Sequence, residues 1–186
     1  MRSETLMPAP ARALTGLDTG SAQAPVLVLG LGNILMEDEG VGVAVIERLQ
    51  QQYRLPAGVE LLDGGTSGMT LLDDLRRREK LIVVDAVRTG QPAGTVVVLK
   101  GEQVPVFFRS KISPHQLALS DVLAVLTLTG EKPADVTVIG VEPMSLETRL
   151  GLSAVVAGRL EALTARVAEE LGAMGYAIKR VRIDHD

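Results

Sequence analysis

The sequence predicts an α/β fold whose central sheet is mainly parallel and covered by helices on both faces. Short apolar runs bounded by turn residues alternate along the chain with longer segments of helical periodicity. A continuous apolar run is typical of a strand buried on both faces, and strands that alternate with helices favour a parallel sheet. The chain has 186 residues, of which 46% are apolar, enough for one domain with a full hydrophobic core.

Five apolar runs are predicted as strands. The first begins at Val26 and is closed by Gly30, and the second is closed by Asp63 and two glycines. In the fourth run β-branched residues predominate, which favours extended backbone. The predicted strands are residues 26–30, 59–62, 81–84, 95–99 and 136–141.

Four segments carry apolar side chains at helical spacing and are predicted as helices. In the first, Val43, Ile46 and Leu49 recur every three residues. The last carries apolar residues three or four apart from Val156 to Met174, the pattern of a long amphipathic helix that packs on a sheet. The predicted helices are residues 39–53, 69–78, 116–129 and 156–174.

The two ends of the chain differ in composition from the predicted domain, which spans residues 25–176. Residues 1–24 are rich in Ala, Pro, Ser, Thr and Gly and are predicted to be a disordered extension. Residues 177–186 are interpreted as a polar, frayed tail. No continuous apolar segment follows Arg2, and no run approaches the roughly 20 residues that cross a bilayer. We therefore expect a cytoplasmic protein without a membrane partner.

Composition removes several classes of function. The net charge of −4 and the scarcity of clustered cations argue against nucleic-acid binding. The one basic run, residues 76–78, is interpreted as the solvated end of a helix. The absence of cysteine excludes disulfides, thiolate metal sites and cysteine nucleophiles. Only His115 and His185 could supply an imidazole.

The turn after the first strand combines glycines with three consecutive acids, residues 37–39. The acids could simply complement a helix dipole, or the glycines could let a ligand or another chain approach the backbone. Gly30 and Gly32 also suggest a dinucleotide-binding turn, but the third glycine of that fingerprint would fall at Leu35. The acids would moreover repel a pyrophosphate, so nucleotide binding is disfavoured.

Three further polar residues lie at predicted turns. Asp85 directly follows the third strand and is either a cap for loop amides or a site residue. Asp63 ends the second strand and precedes a glycine-rich loop, residues 64–68, that could hold an extended peptide. His115 follows a proline just before a helix. A lone histidine is often structural, but the topology can bring this one to the sheet edge that carries Glu39 and Asp85.

Two carboxylates and an imidazole from separate turns form a plausible set of ligands for a divalent metal ion, with positions left open for substrate. The zinc-protease pattern H-E-x-x-H and the serine-hydrolase pattern G-x-S-x-G are both absent from the sequence. Spacing alone therefore leaves the metal site as one hypothesis among others.

Several separated motifs follow one another along the chain: GNIL at residues 32–35, DEGVG at 38–42, DGGT at 63–66, DA at 85–86, SPHQ at 113–116 and GV at 140–141 followed by Pro143. In this order they resemble the motifs of the hydrogenase maturation endopeptidases, nickel-dependent proteases that process a hydrogenase C-terminus. The resemblance runs from Val26 to about Tyr176.

The resemblance implies a three-layer α/β/α sandwich in which Glu39, Asp85 and His115 bind metal. The implied substrate is the large-subunit precursor of a nickel–iron hydrogenase, cut near its C-terminus after nickel insertion, so the precursor supplies the nickel. Asp38 or Asp63 could act as a general base, and the sequence does not decide between them.

A different class of function remains open: a non-catalytic chaperone or metal-insertion protein for the same precursor. Only an enzyme would release a shortened product. The glycine-rich loop 64–68 and the segment at 106–108 are candidates for binding the surrounding peptide, although the sequence favours ordinary core positions for the phenylalanines of that segment.

Overall fold

The computed structural model describes residues 23–109 and 114–181, and in this part a five-stranded sheet forms the centre of the protein. The strands are β1 (Val26–Leu31), β2 (Tyr53–Arg54), β3 (Val59–Gly65), β4 (Lys80–Ala86), β5 (Val96–Lys100), β6 (Asp135–Val141) and β7 (Lys179–Arg180). The sheet has the order β3-β1-β4-β6-β5, in which the first four strands are parallel and β5 is antiparallel to β6. The prediction of a mainly parallel sheet is therefore confirmed.

Helices cover both faces of this sheet. They are α1 (Val41–Gln52), α2 (Leu72–Leu75), α3 (Gln103–Arg109), α4 (Pro114–Leu128), α5 (Ala154–Ala157) and α6 (Leu160–Ala173), with 3-10 turns at Glu37–Gly40 and Met69–Leu71. Within residues 23–109 and 114–181, none of the helices has both the length and the apolar character needed to cross a bilayer.

Two hydrophobic cores, one on each side of the sheet, account for the three layers. Successive residues of a strand point to opposite faces, so β1 contributes Leu27 and Leu29 to one core and Val28 to the other. The first core is completed by residues of α4 such as Leu119, and the second by residues of α1 and α6 such as Ile46. This arrangement confirms the α/β/α sandwich.

The glycines after β1 allow backbone to pack on backbone. A Cβ atom on Gly42 would lie 2.3 Å from the carbonyl oxygens of both Leu31 and Val84, and one on Gly32 would lie 1.6 Å from the carbonyl oxygen of Glu39. Gly32 also has a φ of +129°, which side chains rarely tolerate. The glycines therefore let the Glu37–Gly40 turn and the start of α1 lie directly on the carboxyl ends of β1 and β4.

The basic run at residues 76–78 differs from its prediction. The helix predicted over 69–78 ends at Leu75, and Arg78 is buried. Its guanidinium donates to the carbonyl of Ala24 at 2.6 Å and forms an ion pair with Glu60 at 2.8 Å. The interpretation of this run as a solvated helix end is therefore wrong for Arg78, which connects Ala24, just before β1, to Glu60 of β3.

The last predicted helix and the predicted tail also differ from expectation. The helix predicted over 156–174 is interrupted at Gly158 and Arg159, which separate α5 from α6. After α6 the chain does not fray at once, because β7 pairs antiparallel with β2 and Ile178 packs against the core beneath α1 and α6. Residues 1–22 and 182–186, on which the rest of the two terminal predictions fall, lie outside the described residues.

Candidate active site

Acidic side chains gather where the parallel strands end. Asp85 is the second-to-last residue of β4 and is paired in register with Gly140 of β6, while Asp63 of β3 is paired with Gly30 of β1. Glu39 lies on the 3-10 turn that follows β1. Since β3 and β4 flank β1, Asp63 and Asp85 are separated by two strand spacings, or about 10 Å.

Asp85 is buried and held in place by the start of α4. The side-chain nitrogen of Gln116 donates to Oδ2 of Asp85 at 2.5 Å and to the carbonyl oxygen of Ala86 at 3.1 Å. Gln116 is itself buried. These two bonds fix the first turn of α4 against the end of β4. His115 is the neighbour of Gln116 in that turn, so its backbone lies at the same edge, whereas its side chain falls outside the described part.

The three consecutive acids are all buried, which an ordinary charged helix terminus would not be. Glu39 lies at the end of the Glu37–Gly40 turn, with its amide bonded to the carbonyl of Met36 at 3.1 Å. Among the side chains that the structure describes, no three histidine, aspartate or glutamate groups lie close enough to hold a metal ion. Because the predicted set includes His115, the metal site with Glu39 and Asp85 stays a prediction.

Asp38 accepts four hydrogen bonds from the segment that follows β6. Its Oδ2 accepts from the amide of Met144 at 2.9 Å, the amide of Ser145 at 3.1 Å and the hydroxyl of Ser153 at 2.9 Å. Its Oδ1 accepts from the amide of Ser153 at 2.7 Å. Three of these four bonds converge on Oδ2 and one reaches Oδ1, and the carboxylate is fully buried. Asp38 thereby joins the turn after β1 to the segment 144–153 after β6.

Asp63 has a different environment, because its side chain is exposed. Its Oδ1 accepts from the amide of Gly65 at 2.9 Å, which bends the backbone at the start of the glycine-rich loop. This is the single hydrogen bond of the Asp63 carboxylate within the described residues. Its other oxygen thus retains the capacity to accept a proton or a hydrogen bond from a substrate.

Glu142 is a buried acid that the sequence analysis did not identify. Its Oε2 accepts from the amide and the hydroxyl of Thr89 at 2.7 and 2.8 Å. Burial raises the pKa of Glu142, but hydrogen bonds from Thr89, Gln91 and Gly90 outweigh burial and hold the pKa below the ordinary 4.5 of a glutamate. Glu142 therefore clamps the loop that leaves β4 just after Asp85.

The fold and these turns together define an α/β protein with polar groups at the carboxyl edge of a parallel sheet, the usual ligand-binding position in such folds. The family model described as "Hydrogenase maturation protease" matches residues 43–170. The chain therefore belongs to the hydrogenase maturation protease family, and the predicted enzyme class, an endopeptidase, is confirmed.

Relatives named for hydrogenase maturation or formation match most of the chain. The hydrogenase 2 maturation protease of Escherichia coli K12 is 48% identical over 163 residues, which cover 87% of this chain and 99% of that protein. The hydrogenase expression/formation protein HupD of Rhodobacter capsulatus is 44% identical, over 83% of this chain and 75% of that protein.

Solved structures of the same family share the fold. The hydrogenase maturating endopeptidase HybD from E. coli has a TM-score of 0.81 and 47% identity, and the match covers 83% of this chain and 96% of that one. The NiFe hydrogenase maturation protease HybD from Thermococcus kodakarensis has a TM-score of 0.64 and 26% identity, over 78% of this chain and 97% of that one.

Proposed function

We propose that this protease removes the C-terminal extension of the large-subunit precursor of a nickel–iron hydrogenase after nickel insertion. Membership of the maturation protease family supports the class of reaction. The observation that carries the proposal is the anchoring of Asp85 by Gln116, because it holds the start of α4, which includes His115, at the carboxyl end of β4. Glu39 lies on the adjoining turn.

The ligands that we propose for the precursor's nickel are Glu39, Asp85 and His115. Two carboxylates and a neutral imidazole suit a borderline divalent ion, and three protein ligands leave positions open for the substrate. The hydrogen bond from Gln116 would orient the Asp85 carboxylate, as outer-shell bonds do at metal sites. When bound, nickel would supply positive charge that polarises the scissile carbonyl or lowers the pKa of a water molecule.

Of the two aspartates considered as general base, Asp63 is the one to which we give this role. A base must reach the proton that it removes, and the Asp63 carboxylate is exposed with one oxygen engaged. Asp38 instead suits a positioning role, because its carboxylate is fully buried and already accepts four hydrogen bonds from Met144, Ser145 and Ser153. Asp38 would keep Glu39, the next residue, in place.

The test is the mass of nickel-loaded precursor before and after incubation with the protein. We expect a shortened large subunit with the wild-type protein and none with Asp85→Asn. Asp121→Asn is the matched control, since it changes an exposed carboxylate on α4 and should leave cleavage unchanged. If the wild-type protein binds the precursor but leaves its mass unchanged, the chaperone or metal-insertion alternative replaces the proposal.

A further inference from the structure

Two loops beside the candidate site expose four large apolar side chains. Ile34 and Leu35 are each 54% exposed on the segment after β1, and Met144 and Leu150 are 62% and 72% exposed on the segment after β6. Both segments leave the carboxyl edge of the sheet. We call residues 33–39 together with residues 144–153 the double loop.

Backbone hydrogen bonds join the two halves of the double loop. The amide of Arg149 donates to the carbonyl of Leu35 at 3.0 Å, and the amide of Glu37 donates to the carbonyl of Arg149 at 2.9 Å. The guanidinium of Arg149 also donates to the buried carboxylate of Glu37 at 3.1 Å. Beneath them, Asp38 accepts its four hydrogen bonds from Met144, Ser145 and Ser153.

The backbone of the double loop is strained as well as cross-linked. Glu37 has a φ of +46°, a left-handed conformation that costs free energy in any residue but glycine and persists only where surrounding bonds enforce it. Its amide and its carboxylate are both bound to Arg149. The apolar side chains are therefore presented on a backbone that is already fixed, which lowers the entropy lost when a partner binds.

Clustered exposed apolar side chains mark interaction surfaces, whereas scattered single ones are normal. The cluster lies beside Glu39, because a Cβ on the adjacent Gly40 would be 3.0 Å from Cα of Ile34. Leu128 is 88% exposed at the end of α4. That helix starts at the candidate site, so its far end provides an exposed leucine remote from the site.

We propose that the double loop docks an apolar stretch of the precursor next to its cleavage point. This inference rests on the proposed function and names the substrate-binding surface of the same site. The precursor is the occupant because the turn that carries Glu39 is itself one half of the double loop, so a protein substrate that reaches Glu39 lies against Ile34. Asp38 holds the two halves of this surface together through its hydrogen bonds to the segment 144–153, an interaction that we call the clasp.

The test compares two variants with a matched control. The first combines Ile34→Ser and Leu35→Ser, the second combines Met144→Ser and Leu150→Ser, and the control is Leu128→Ser. KM and kcat for nickel-loaded precursor are measured along with Kd for the precursor and thermal unfolding. Truncating apolar anchors weakens interfaces, so we expect each double variant to raise KM and Kd about tenfold or more, with kcat little changed and the control unaffected.

The Kd for the precursor tests the docking surface, whereas cleavage of the precursor tests the proposed function. If the wild-type protein does not shorten the precursor, the proposed function fails, while a raised Kd in both double variants would still support the docking surface. Folded double variants with the KM and Kd of the control would overturn it. Analytical ultracentrifugation tests whether a second copy of the chain binds this surface instead. If the wild-type protein is a dimer, and the double variants are monomers whose Kd for the precursor is unchanged, the surface is a dimer interface and the inference is overturned.

Discussion

The substitution Asp38→Asn tests whether the Asp38 carboxylate holds the two halves of the double loop together. An asparagine has one acceptor oxygen, and placing it at the Oδ2 position keeps the bonds from Met144, Ser145 and the Ser153 hydroxyl. The amide group would then face the amide of Ser153, now 2.7 Å from Oδ1, and leave that donor unpaired. An unpaired buried donor costs about 1–3 kcal/mol, and the bonds that remain lose their charge assistance.

We take a loss of about 3 kcal/mol as the expected change in the free energy of unfolding. For a domain of this size that corresponds to a fall in Tm of about 6–12 °C. Because the lost bonds join the two halves of the double loop, the hydrogen-exchange rate should rise more at the amides of Met144, Ser145 and Ser153 than at the amides of the central sheet. Differential scanning calorimetry and residue-resolved exchange measure the two effects.

Ser153→Ala is the matched comparison for Asp38→Asn. It removes the hydroxyl that donates to Asp38 and that caps α5 by accepting from the amide of Val156, so we expect a smaller loss of about 1 kcal/mol. The two changes share a hydrogen bond and should not be additive in the double variant. A folded Asp38→Asn protein with wild-type Tm and exchange at 144–153, but with processing abolished, would refute the clasp and restore Asp38 as a base.

Three further predictions concern other parts of the molecule. Glu142→Gln should lower Tm at pH 7, and the difference in Tm from the wild type should shrink as pH falls below 4.5. The depressed pKa of Glu142 contributes stability that is present above the ordinary pKa and lost when the carboxylate is protonated. A difference in Tm that stays constant with pH would show that the bonds to Thr89 do not depend on the charge of Glu142. Gln116→Ala should strongly reduce processing and lower Tm only slightly, since it removes the Gln116 hydrogen bond to the Asp85 carboxylate at the candidate site; wild-type turnover would contradict this. Deleting residues 178–186 removes β7 and Ile178 and should lower Tm by several degrees, and an unchanged melting curve would show that β7 contributes nothing.

Dependence on nickel is the prediction most closely tied to the proposed reaction. A site of three ligands without thiolates should hold free nickel weakly, so a precursor that brings its own ion should be cleaved and a nickel-free precursor should not. Mass spectrometry of the C-terminal fragment, with both precursor forms at equal concentration, checks this. Equal cleavage of both forms would remove the role of nickel in recognition and leave a peptidase that acts without it.

The local patterns of the sequence were sufficient for the architecture. Apolar runs such as that of β1 mark strands because burial on both faces requires apolar side chains at every position. Asp63 and Asp85 could be assigned to one edge because parallel strands end on the same side. The resemblance to the family implied the ligands Glu39, Asp85 and His115. The structure describes the side chains of Glu39 and Asp85, whereas the side chain of His115 lies outside the described part.

Only the tertiary structure decided what the buried polar groups bind. The partners of Asp38 lie 106 to 115 residues further along the chain, and those of Glu142 lie 51 to 53 residues before it. Arg78 looks like its exposed neighbours in sequence but reaches Ala24, 54 residues away. Apolar periodicity reports the face on which a residue lies, because a strand or helix repeats over a few residues. Hydrogen bonds between residues so far apart in the chain depend on which strands lie side by side in the sheet, and no local spacing of residues encodes that order.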